Sequence, residues 1–410
     1  MTVVEKGFVG GACLNWGCIP SKTLLSIGKK LRDMKELSVT PPTRAALWAE
    51  MRKRKDQVIR QLRSDDEKSI SLSGAELLSG EARFTSPKSL TVSTKSGERK
   101  IDFDKAIIAA GSAPIFPPPL DARKKDILDS DRIFDIETLP SSVAIVGGGA
   151  VGCEFACLLH ELGVKITLIE KTAGLLPGED AQIANALRKS FEKRGIQVKD
   201  SVTAEMLDGK AGAWKITLSD RSTLEAAQIL ACVGRRPLGE SLGLDKASVK
   251  ISPKGIPVDS KMRTSNPDIF ACGDITGLSL LAHAGSAQGE VAAANALGES
   301  KEYDGSLVPR CLYTWPEVAS IGTAAGKAKR FFFAASGRAL AEGDSEGFIQ
   351  IVLEEGSEKI LGGQIIGPHA TELIHVLAVA IKAGMASKDL REVIFAHPTF
   401  SEGIKGALER

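Results

Sequence analysis

The sequence lacks an excess of charge of either sign, with 53 Lys and Arg residues against 51 Asp and Glu residues. It also lacks a block of basic residues interleaved with aromatic side chains, and aromatic residues make up only 5% of the chain. Proteins that follow a phosphate backbone carry such basic blocks. These absences argue against nucleic acid as a partner.

Long apolar runs and a leader segment are absent as well. No run approaches the roughly 20 apolar residues of a membrane span. The first residues, MTVVEKGFVGG, lack the charged start and apolar core of a signal peptide. Cysteine is scarce and odd in number, with 7 residues among 410, which argues against a secreted disulfide framework. We expect a cytoplasmic enzyme of roughly two to four domains, with no membrane partner.

One β-α-β unit is evident from Ser142 onward, where a strand SVAIV, a glycine turn, a helical run EFACLLHEL and a second strand KITLIE follow one another. The turn contains a GxGxxG motif, which lets the backbone approach a pyrophosphate at a helix N-terminus. The glycines of the motif are Gly147, Gly149 and Gly152, and Gly148, between the first two, is a further expected cofactor contact.

An acidic residue completes this unit. Glu170 follows Gly147 by 23 residues, at the tip of the second strand, where its carboxylate can accept hydrogen bonds from the adenosine ribose. The same carboxylate would repel a 2′-phosphate, so the unit predicts NAD rather than NADP. A glycine turn that serves only helix packing is the alternative interpretation.

The segment GGACLNWGCIPSK contains two cysteines, Cys13 and Cys18. Residues five apart in a straight helix rise about 7.5 Å, whereas disulfide-bonded Cα atoms lie about 5.5 Å apart, so a bridge requires a distorted turn. Gly17 and Pro20 permit one. A bridge across so short a loop removes little chain entropy, which favours redox exchange over a structural disulfide. Two unpaired core cysteines or half a zinc site are the alternatives, but the next Cys or His after Cys18 is Cys153, which argues against metal.

Several segments together resemble the pyridine nucleotide-disulfide oxidoreductases. They are, in chain order, GGACLNWGCIPSK, the GxGxxG unit, IIAAGSAP, ACVGRRP, NPDIFACGDITG, YTWPEVASIG and FAHPTFSE. Within that family the sequence is most similar to the branch that oxidises dihydrolipoamide, because LNWGCIPSK, Glu170, LLAH and HPTFSE match that branch. Such enzymes use FAD and NAD as cofactors.

The resemblance implies an α/β fold with two Rossmann-like domains in three layers, followed by an α+β dimerisation domain. Changes in the pattern of strand-like and helix-like segments along the chain place the domain boundaries near residues 140, 262 and 304. The expected segments are a FAD-binding domain at 1–139, an NAD-binding domain at 140–262, a return to the FAD or central domain at 263–303, and a dimerisation domain at 304–410.

The resemblance also implies catalytic roles. Cys13 would exchange with the substrate's disulfide, and Cys18 would lie against the flavin. Lys22 would lie near the reactive nitrogen of the flavin and pair with Glu154. Without the family, Lys22 and Glu154 are merely charged residues near helix termini.

Proton transfer would fall to His397, oriented by Glu402, because the outgoing dithiol gains a proton and the attacking thiol loses one. In the family this histidine enters the site from the other subunit, which implies an obligate homodimer. By base rate alone an isolated His before Pro is more often structural.

The cofactor contacts that the resemblance implies are spread along the chain. Asp274 would bind the ribityl chain of FAD, and a helix N-terminus after Leu280 would face the isoalloxazine. Val202 and Gly234 would line the NAD site. The remaining expected cofactor residues are Glu5, Lys22, Ala82, Ala110, Gly111, Ser112, Leu281, Ala282 and His283.

Two departures from the family are expected. The run VVEK that ends at Lys6 resembles the run LIEK that ends at Lys171. Applying the spacing of the NAD unit to Glu5 places the corresponding FAD glycine before residue 1, so the first β-α unit of the FAD domain, with its own GxGxxG, is expected to be absent. Thr323 to Arg330 are expected to replace a longer helix and strand of the dimerisation domain.

The favoured function is oxidation of protein-bound dihydrolipoamide, with electrons passing through the two cysteines and FAD to NAD. The partners would be a second copy of the chain and a lipoyl-bearing protein or small disulfide, as in a 2-oxo acid dehydrogenase complex. Glu170 disfavours glutathione reduction, and the lack of cysteine after Cys311 disfavours mercuric reduction. The alternatives are another NAD(P)H-dependent disulfide reductase of the family, or a non-catalytic NAD-binding remnant.

Overall fold

A computed structural model of the chain describes residues 1–409. The helices in this range are α1 (Gly11–Trp16), α2 (Cys18–Glu36), α3 (Arg44–Leu72), α4 (Ala150–Glu161), α5 (Ala181–Arg194), α6 (Ala282–Ala296), α7 (Gly337–Glu342), α8 (Ala370–Lys382), α9 (Ser387–Arg391) and α10 (Glu402–Leu408).

The strands alternate with these helices over most of the chain. They are β1 (Thr2–Glu5), β2 (Glu76–Ser79), β3 (Glu81–Ser86), β4 (Ser89–Thr94), β5 (Gly97–Asp102), β6 (Ala106–Ile108), β7 (Ser112–Pro114), β8 (Leu128–Asp129), β9 (Ser142–Val146), β10 (Lys165–Ile169), β11 (Gln197–Lys199), β12 (Ala204–Lys210), β13 (Ala213–Leu218), β14 (Thr223–Ala226), β15 (Gln228–Ala231), β16 (Arg235–Pro237), β17 (Ile269–Ala271), β18 (Arg310–Leu312), β19 (Glu317–Gly322), β20 (Lys327–Phe332), β21 (Phe348–Leu353) and β22 (Ile360–Gly367).

The residues group by packing into two compact units. Unit 1 comprises Met1–Ile115, Asp129–Leu139 and Gly234–Gly305, and unit 2 comprises Phe116–Leu128, Pro140–Val233 and residues from Ser306 onward. The expected α/β class with an α+β C-terminal region is confirmed. The boundaries at residues 140, 262 and 304 stay predictions.

The expected β-α-β unit is present in unit 2. Its strands belong to a sheet of order β11-β10-β9-β15-β8, in which β9 pairs in parallel with β10 and with β15. Val143, Ala144 and Ile145 of β9 are almost fully buried, as a strand covered on both faces requires. This run of apolar, β-branched residues followed by glycine is what made the unit visible in the sequence.

Unit 1 contains a less continuous arrangement of parallel strands. β1 pairs in parallel with β2, and β6 pairs in parallel with β17, each as a sheet of two strands. All four residues of β1 are only partly buried. Within residues 1–409, β1 is therefore bonded along one edge, whereas β10 is bonded along both. The long helices α2 and α3 connect β1 to β2 and pack against each other.

The C-terminal part of unit 2 is a five-stranded antiparallel sheet of order β18-β19-β22-β21-β20, packed with α8 and α10 around an apolar core. The strand that was expected to be missing is present, because Lys327 to Phe332 form β20 against β21. The charged residues Lys327, Lys329 and Arg330 concealed it, and such residues are common on edge strands. Only residues 323–326 connect β19 to β20.

That short connection crosses the end of the sheet. Gly322 pairs with Gly362, Gly362 with Val352, and Val352 with Ala328, so the chain passes over two intervening strands. A Cβ atom at Gly362 would lie 2.0 Å from the carbonyl oxygen of Thr323, so this crossing requires glycine.

Across residues 1–409, none of the helices combines the length and the apolar character that crossing a membrane demands.

Candidate active site

The two cysteines lie on either side of a break between helices. α1 ends at Trp16, Gly17 adopts φ −128° and ψ −111°, and α2 begins at Cys18. A Cβ atom on Gly17 would lie 2.9 Å from the carbonyl oxygen of Ala12 and 3.1 Å from the Cα of Cys13. Glycine is thus required for the turn to approach Cys13 closely. The expected distorted turn is present.

Cys13 and Cys18 are free thiols and are hydrogen-bonded to each other. The side-chain hydrogen bond to Cys18 and partial burial raise the pKa of the Cys13 thiol well above its usual range, while the charge of Lys22 acts in the opposite direction. Cys13 therefore retains its proton near neutral pH until a base removes it. The pair is close enough to form a disulfide.

The predicted partners Lys22 and Glu154 lie in α2 and α4. Lys22 lies in the first turns of α2 and is partly buried. Glu154, on α4, is buried, and its Oε1 accepts a hydrogen bond from the backbone N–H of Tyr313 at 3.0 Å. The pairing of Lys22 with Glu154 stays a prediction.

The GxGxxG turn has the geometry that the motif predicts. A Cβ atom on Gly147 would lie 2.2 Å from the carbonyl oxygen of Cys232, and one on Gly152 would lie 1.9 Å from that of Gly147. Gly149 has no neighbouring atom within 4 Å of its Cβ position, which leaves its surface open, and it precedes α4 without a side-chain cap. The turn can therefore admit a pyrophosphate at the N-terminus of α4.

Glu170 is tied into this turn. Its Oε2 accepts a hydrogen bond from the backbone N–H of Gly148 at 2.7 Å, and its Oε1 accepts from the N–H and Oγ1 of Thr172, each at 2.8 Å. Oε2 keeps a second acceptor position for a ribose hydroxyl. The N–H of Val202 donates to the carbonyl oxygen of Glu170 at 3.1 Å, so the structure brings these two predicted NAD residues together.

Glu5 repeats part of this pattern in unit 1. Glu5 is the last residue of β1, and Glu170 directly follows β10. Glu5 Oε1 accepts a hydrogen bond at 2.7 Å from the N–H of Gly7, two residues further along the chain. Glu170 accepts the N–H of Thr172 in the same way. The resemblance between the two strands in sequence thus extends to their local geometry. A nucleotide contact by Glu5 stays a prediction.

Asp274 lies at the end of a chain of hydrogen bonds that the sequence did not predict. Its Oδ2 accepts from Ser112 Oγ at 2.5 Å, Ser112 Oγ accepts from Arg235 Nε at 2.9 Å, and Arg235 Nη1 donates to Asp131 Oδ1 at 2.7 Å. Because arginine only donates, the single hydroxyl proton of Ser112 must point to Asp274. This arrangement keeps Asp274 an acceptor, as a ribityl hydroxyl requires, and brings together two predicted FAD residues.

The N-terminus of α6 lies beside the same turn. Leu281 caps α6 without a side-chain hydrogen bond, and a Cβ atom on Gly285 would lie 3.2 Å from the Cα of Gly273. Gln288, fully buried on α6, accepts the N–H of Gly273 through Oε1 at 2.8 Å. The helix is thereby fixed to the Asp274 turn.

The other expected cofactor residues occupy several elements, and their contacts with a cofactor stay predictions. Leu280 precedes α6, with Ala282 and His283 in its first turn. Ala110 and Gly111 lie between β6 and β7, Gly234 directly precedes β16, and Ala82 lies in β3 opposite Val92.

The structure brings His397 and Glu402 together. His397 Nδ1 lies 2.9 Å from Glu402 Oε1, and Glu402 Oε2 accepts the N–H of Thr399 at 2.8 Å. The Thr399 N–H and then the contact with His397 lower the pKa of Glu402. The ionised carboxylate selects the imidazole tautomer that carries its proton on Nδ1, which leaves Nε2 to exchange protons. The His397 side chain is largely exposed.

Four residues at these sites were not predicted from the sequence. They are Arg235 and Gln288, together with Asn15 in α1 and Arg63 in α3, whose Nε donates a hydrogen bond to Asn15 Oδ1 beside Cys13. Arg235 is part of GRRP and Asn15 is part of LNWGC, so the signal was their place inside the motifs. Arg63 and Gln288 lie in helices and carry no local signal.

Two family models match the chain. The model described as pyridine nucleotide-disulphide oxidoreductase matches residues 1–289. The model of the dimerisation domain of pyridine nucleotide-disulphide oxidoreductases matches residues 308–408.

Individual proteins are similar over almost the full length. A dihydrolipoyl dehydrogenase of Bacillus subtilis is 36% identical, with 99% of this chain and 92% of the relative covered. Dihydrolipoyl dehydrogenase 3 of Haloarcula marismortui is also 36% identical, with 100% and 91% covered. The crystal structure of LpdA from Mycobacterium tuberculosis has a TM-score of 0.91 at 26% identity, covering 100% of this chain and 93% of that one.

Proposed function

Because the chain belongs to the pyridine nucleotide-disulphide oxidoreductases, as an NAD-dependent flavoprotein oxidoreductase, we propose that it oxidises protein-bound dihydrolipoyl groups to the lipoyl disulfide. The observation that carries this proposal is the hydrogen-bonded pair Cys13 and Cys18 at the Gly17 break. The full-length similarity to dihydrolipoyl dehydrogenases supports the choice of substrate.

The exchange step is balanced within the dithiol and the substrate. In the oxidised enzyme, one substrate thiolate attacks the sulfur of Cys13 and releases Cys18 as a thiolate, so one S–S bond forms and one breaks. The second substrate thiolate then attacks the substrate sulfur that is bonded to Cys13. This step forms the lipoyl disulfide and releases Cys13 as a thiolate. The raised pKa of Cys13 favours its reprotonation at this point.

FAD, when bound, would supply the two-electron chemistry that links the dithiol to NAD. We propose that Asp274, held by Ser112, binds the ribityl chain and that Glu5 binds the adenosine ribose. Within residues 1–410 the sequence contains a single GxGxxG, at the NAD turn.

Proton transfer is assigned to His397 with Glu402 as its orienting group. The C-terminal dimerisation domain supports a homodimer, and we propose that the partner subunit's His397 serves the dithiol of each subunit. The tautomer fixed by Glu402 presents Nε2 as the atom that accepts the substrate thiol's proton. A cytoplasmic location, next to a lipoyl-bearing complex, is part of the same proposal.

The test is an absorption spectrum of the purified chain before and after FAD is added, followed by lipoamide-dependent oxidation of NADH. Flavin bands that persist after gel filtration, together with lipoamide-dependent turnover, are expected. A chain that binds NAD but shows no flavin bands under either condition contradicts the enzymatic proposal and supports a non-catalytic NAD-binding role.

A further inference from the structure

Asn15 lies in α1, between the two cysteines in sequence. The amide nitrogen and the amide oxygen of its buried side chain both form hydrogen bonds. Its Nδ2 donates to the carbonyl oxygens of Val9 at 2.9 Å and Gly11 at 2.7 Å. Its Oδ1 accepts a hydrogen bond from Nε of Arg63. The side chain is only 7% exposed, and its bond to Val9 is shielded from water. Asn15 thus connects the turn that precedes α1 to α1 itself.

Arg63 supplies the other half of this contact from α3. Its guanidinium carbon lies 3.6 Å from the centroid of the Phe8 ring, so it contacts the turn at Phe8 as well as at Asn15. A Cβ atom on Gly10, which adopts φ +90°, would lie 3.1 Å from Oδ2 of Asp66, one turn further along α3. The segment that precedes Cys13 is therefore fixed to the surface of α3 at several points.

The second cysteine is held on α3 by a different route. Cys18 begins α2, and α2 packs along α3. α3 is thus the common support for both thiols, with Asn15 and Arg63 holding the Cys13 side and the packing of α2 holding the Cys18 side. The two routes can be altered separately.

We propose that Asn15 and Arg63 are positioning residues that hold Cys13 within bonding distance of Cys18 and thereby set the redox equilibrium of the dithiol. The inference rests on the exchange role proposed for these cysteines. Closing a disulfide depends on the effective concentration of one thiol at the other, which falls when one of them is free to move. Asn15 bonds to backbone carbonyl oxygens of the turn before Cys13, so the effect is exerted through the backbone.

The experiment is a glutathione titration of the complete chain, read by alkylation of Cys13 and Cys18 and mass spectrometry of the peptides. Two protein thiols and one oxidised glutathione give the protein disulfide and two reduced glutathiones, so two electrons and two protons pass to glutathione. Neither NADH nor lipoamide is needed. The equilibrium constant for protein disulfide formation and the melting temperature are both measured for each variant, so that an effect on the dithiol is distinguished from an effect on stability.

The variant Arg63→Met keeps a long apolar stem but loses the hydrogen bond to Asn15. Its equilibrium constant should fall about tenfold, which corresponds to about 30 mV for this two-electron couple. Arg63→Lys, which retains a donor, should recover part of the loss. Arg60→Met is the matched control, because Arg60 is an exposed arginine one turn earlier on the same helix, and its constant should equal that of the wild type.

Asn15→Asp separates the two halves of the contact, since it keeps an acceptor for Arg63 and loses both donors to the turn. It should lower the constant at least as much as Arg63→Met, and the double variant should fall by less than the product of the two effects, because the residues act as one unit.

A folded Arg63→Met chain whose equilibrium constant equals that of the wild type overturns the inference, even if its melting temperature is lower. Because Arg63 lies on the surface of α3, this variant decides the question if Asn15 variants do not fold. A wild-type chain that forms no disulfide between Cys13 and Cys18 contradicts the exchange role itself, and with it both proposals.

Discussion

Glu170 accepts the backbone N–H of Gly148 at 2.7 Å, which joins the acid after β10 to the residue between the first two glycines of the GxGxxG motif. Glu170→Gln should weaken NAD binding about 10- to 100-fold if, as we propose, the charged carboxylate accepts hydrogen bonds from both this N–H and the ribose. NADP binding should fall much less, since the negative charge that repels its phosphate is removed. Fluorescence titration with both nucleotides measures the two affinities.

The control for that change is Glu192→Gln, at an exposed acid on α5, which should leave both affinities unaltered. Equal losses of NAD and NADP affinity in the Glu170 variant would contradict the ribose assignment.

Gly17→Ala should open the dithiol. The added Cβ would lie 2.9 Å from the carbonyl oxygen of Ala12 and 3.1 Å from the Cα of Cys13, so the backbone has to move away. We expect a loss of about 1 to 3 kcal/mol in the free energy of unfolding, measured by urea denaturation, and a smaller fraction of protein disulfide in glutathione buffer. Gly337→Ala, with nothing within 4 Å of its Cβ position, is the control. An unchanged disulfide fraction in Gly17→Ala would refute the close approach.

Ser112→Ala should weaken FAD binding by about tenfold, because Asp274 loses the hydroxyl that orients its carboxylate. Quenching of FAD fluorescence on titration with protein gives the dissociation constant. Ser130→Ala is the matched control, since Ser130 accepts from Arg235 at 3.3 Å but does not bond to Asp274. Identical FAD affinities in the wild type and Ser112→Ala would exclude this orienting role.

Replacing Cys18 should change the pH at which Cys13 becomes reactive. The hydrogen bond to Cys18 is the largest cause of the raised pKa of Cys13, so Cys18→Ala should lower that pKa. The midpoint of Cys13 alkylation by iodoacetamide should then move to lower pH. At a pH below the midpoint, the alkylation rate should be about threefold higher for each unit by which the pKa of Cys13 falls. The larger thiolate fraction outweighs the lower nucleophilicity of that thiolate. Cys311→Ala should not move the midpoint, and a move to higher pH in Cys18→Ala would contradict the assignment.

The sequence predicted those parts of the fold that depend on local pattern. The apolar run of β9, the glycines after it and the acid after β10 are local signals, and the structure places them as one β-α-β unit. The break between Cys13 and Cys18 was also predictable, because the geometry of a disulfide is incompatible with a straight helix.

Contacts between distant segments could not be predicted in this way. Asn15 meets Arg63 from another helix, and Ser112 joins Asp274 to Arg235 across three segments. Nothing in the local periodicity of α3 distinguishes Arg63 from its exposed neighbour Arg60. β20 was missed for a related reason, because its charged residues resemble a loop until its pairing with β21 is known.

Cys13→Ser tests whether Cys13 is the thiol that exchanges with the substrate. The measurement is anaerobic: the FAD-loaded variant is mixed with NADH while the flavin absorbance is followed, and lipoamide is then added. We expect that NADH still bleaches the flavin, whereas lipoamide reduction falls to the background rate. Lipoamide turnover equal to that of the wild type would contradict it.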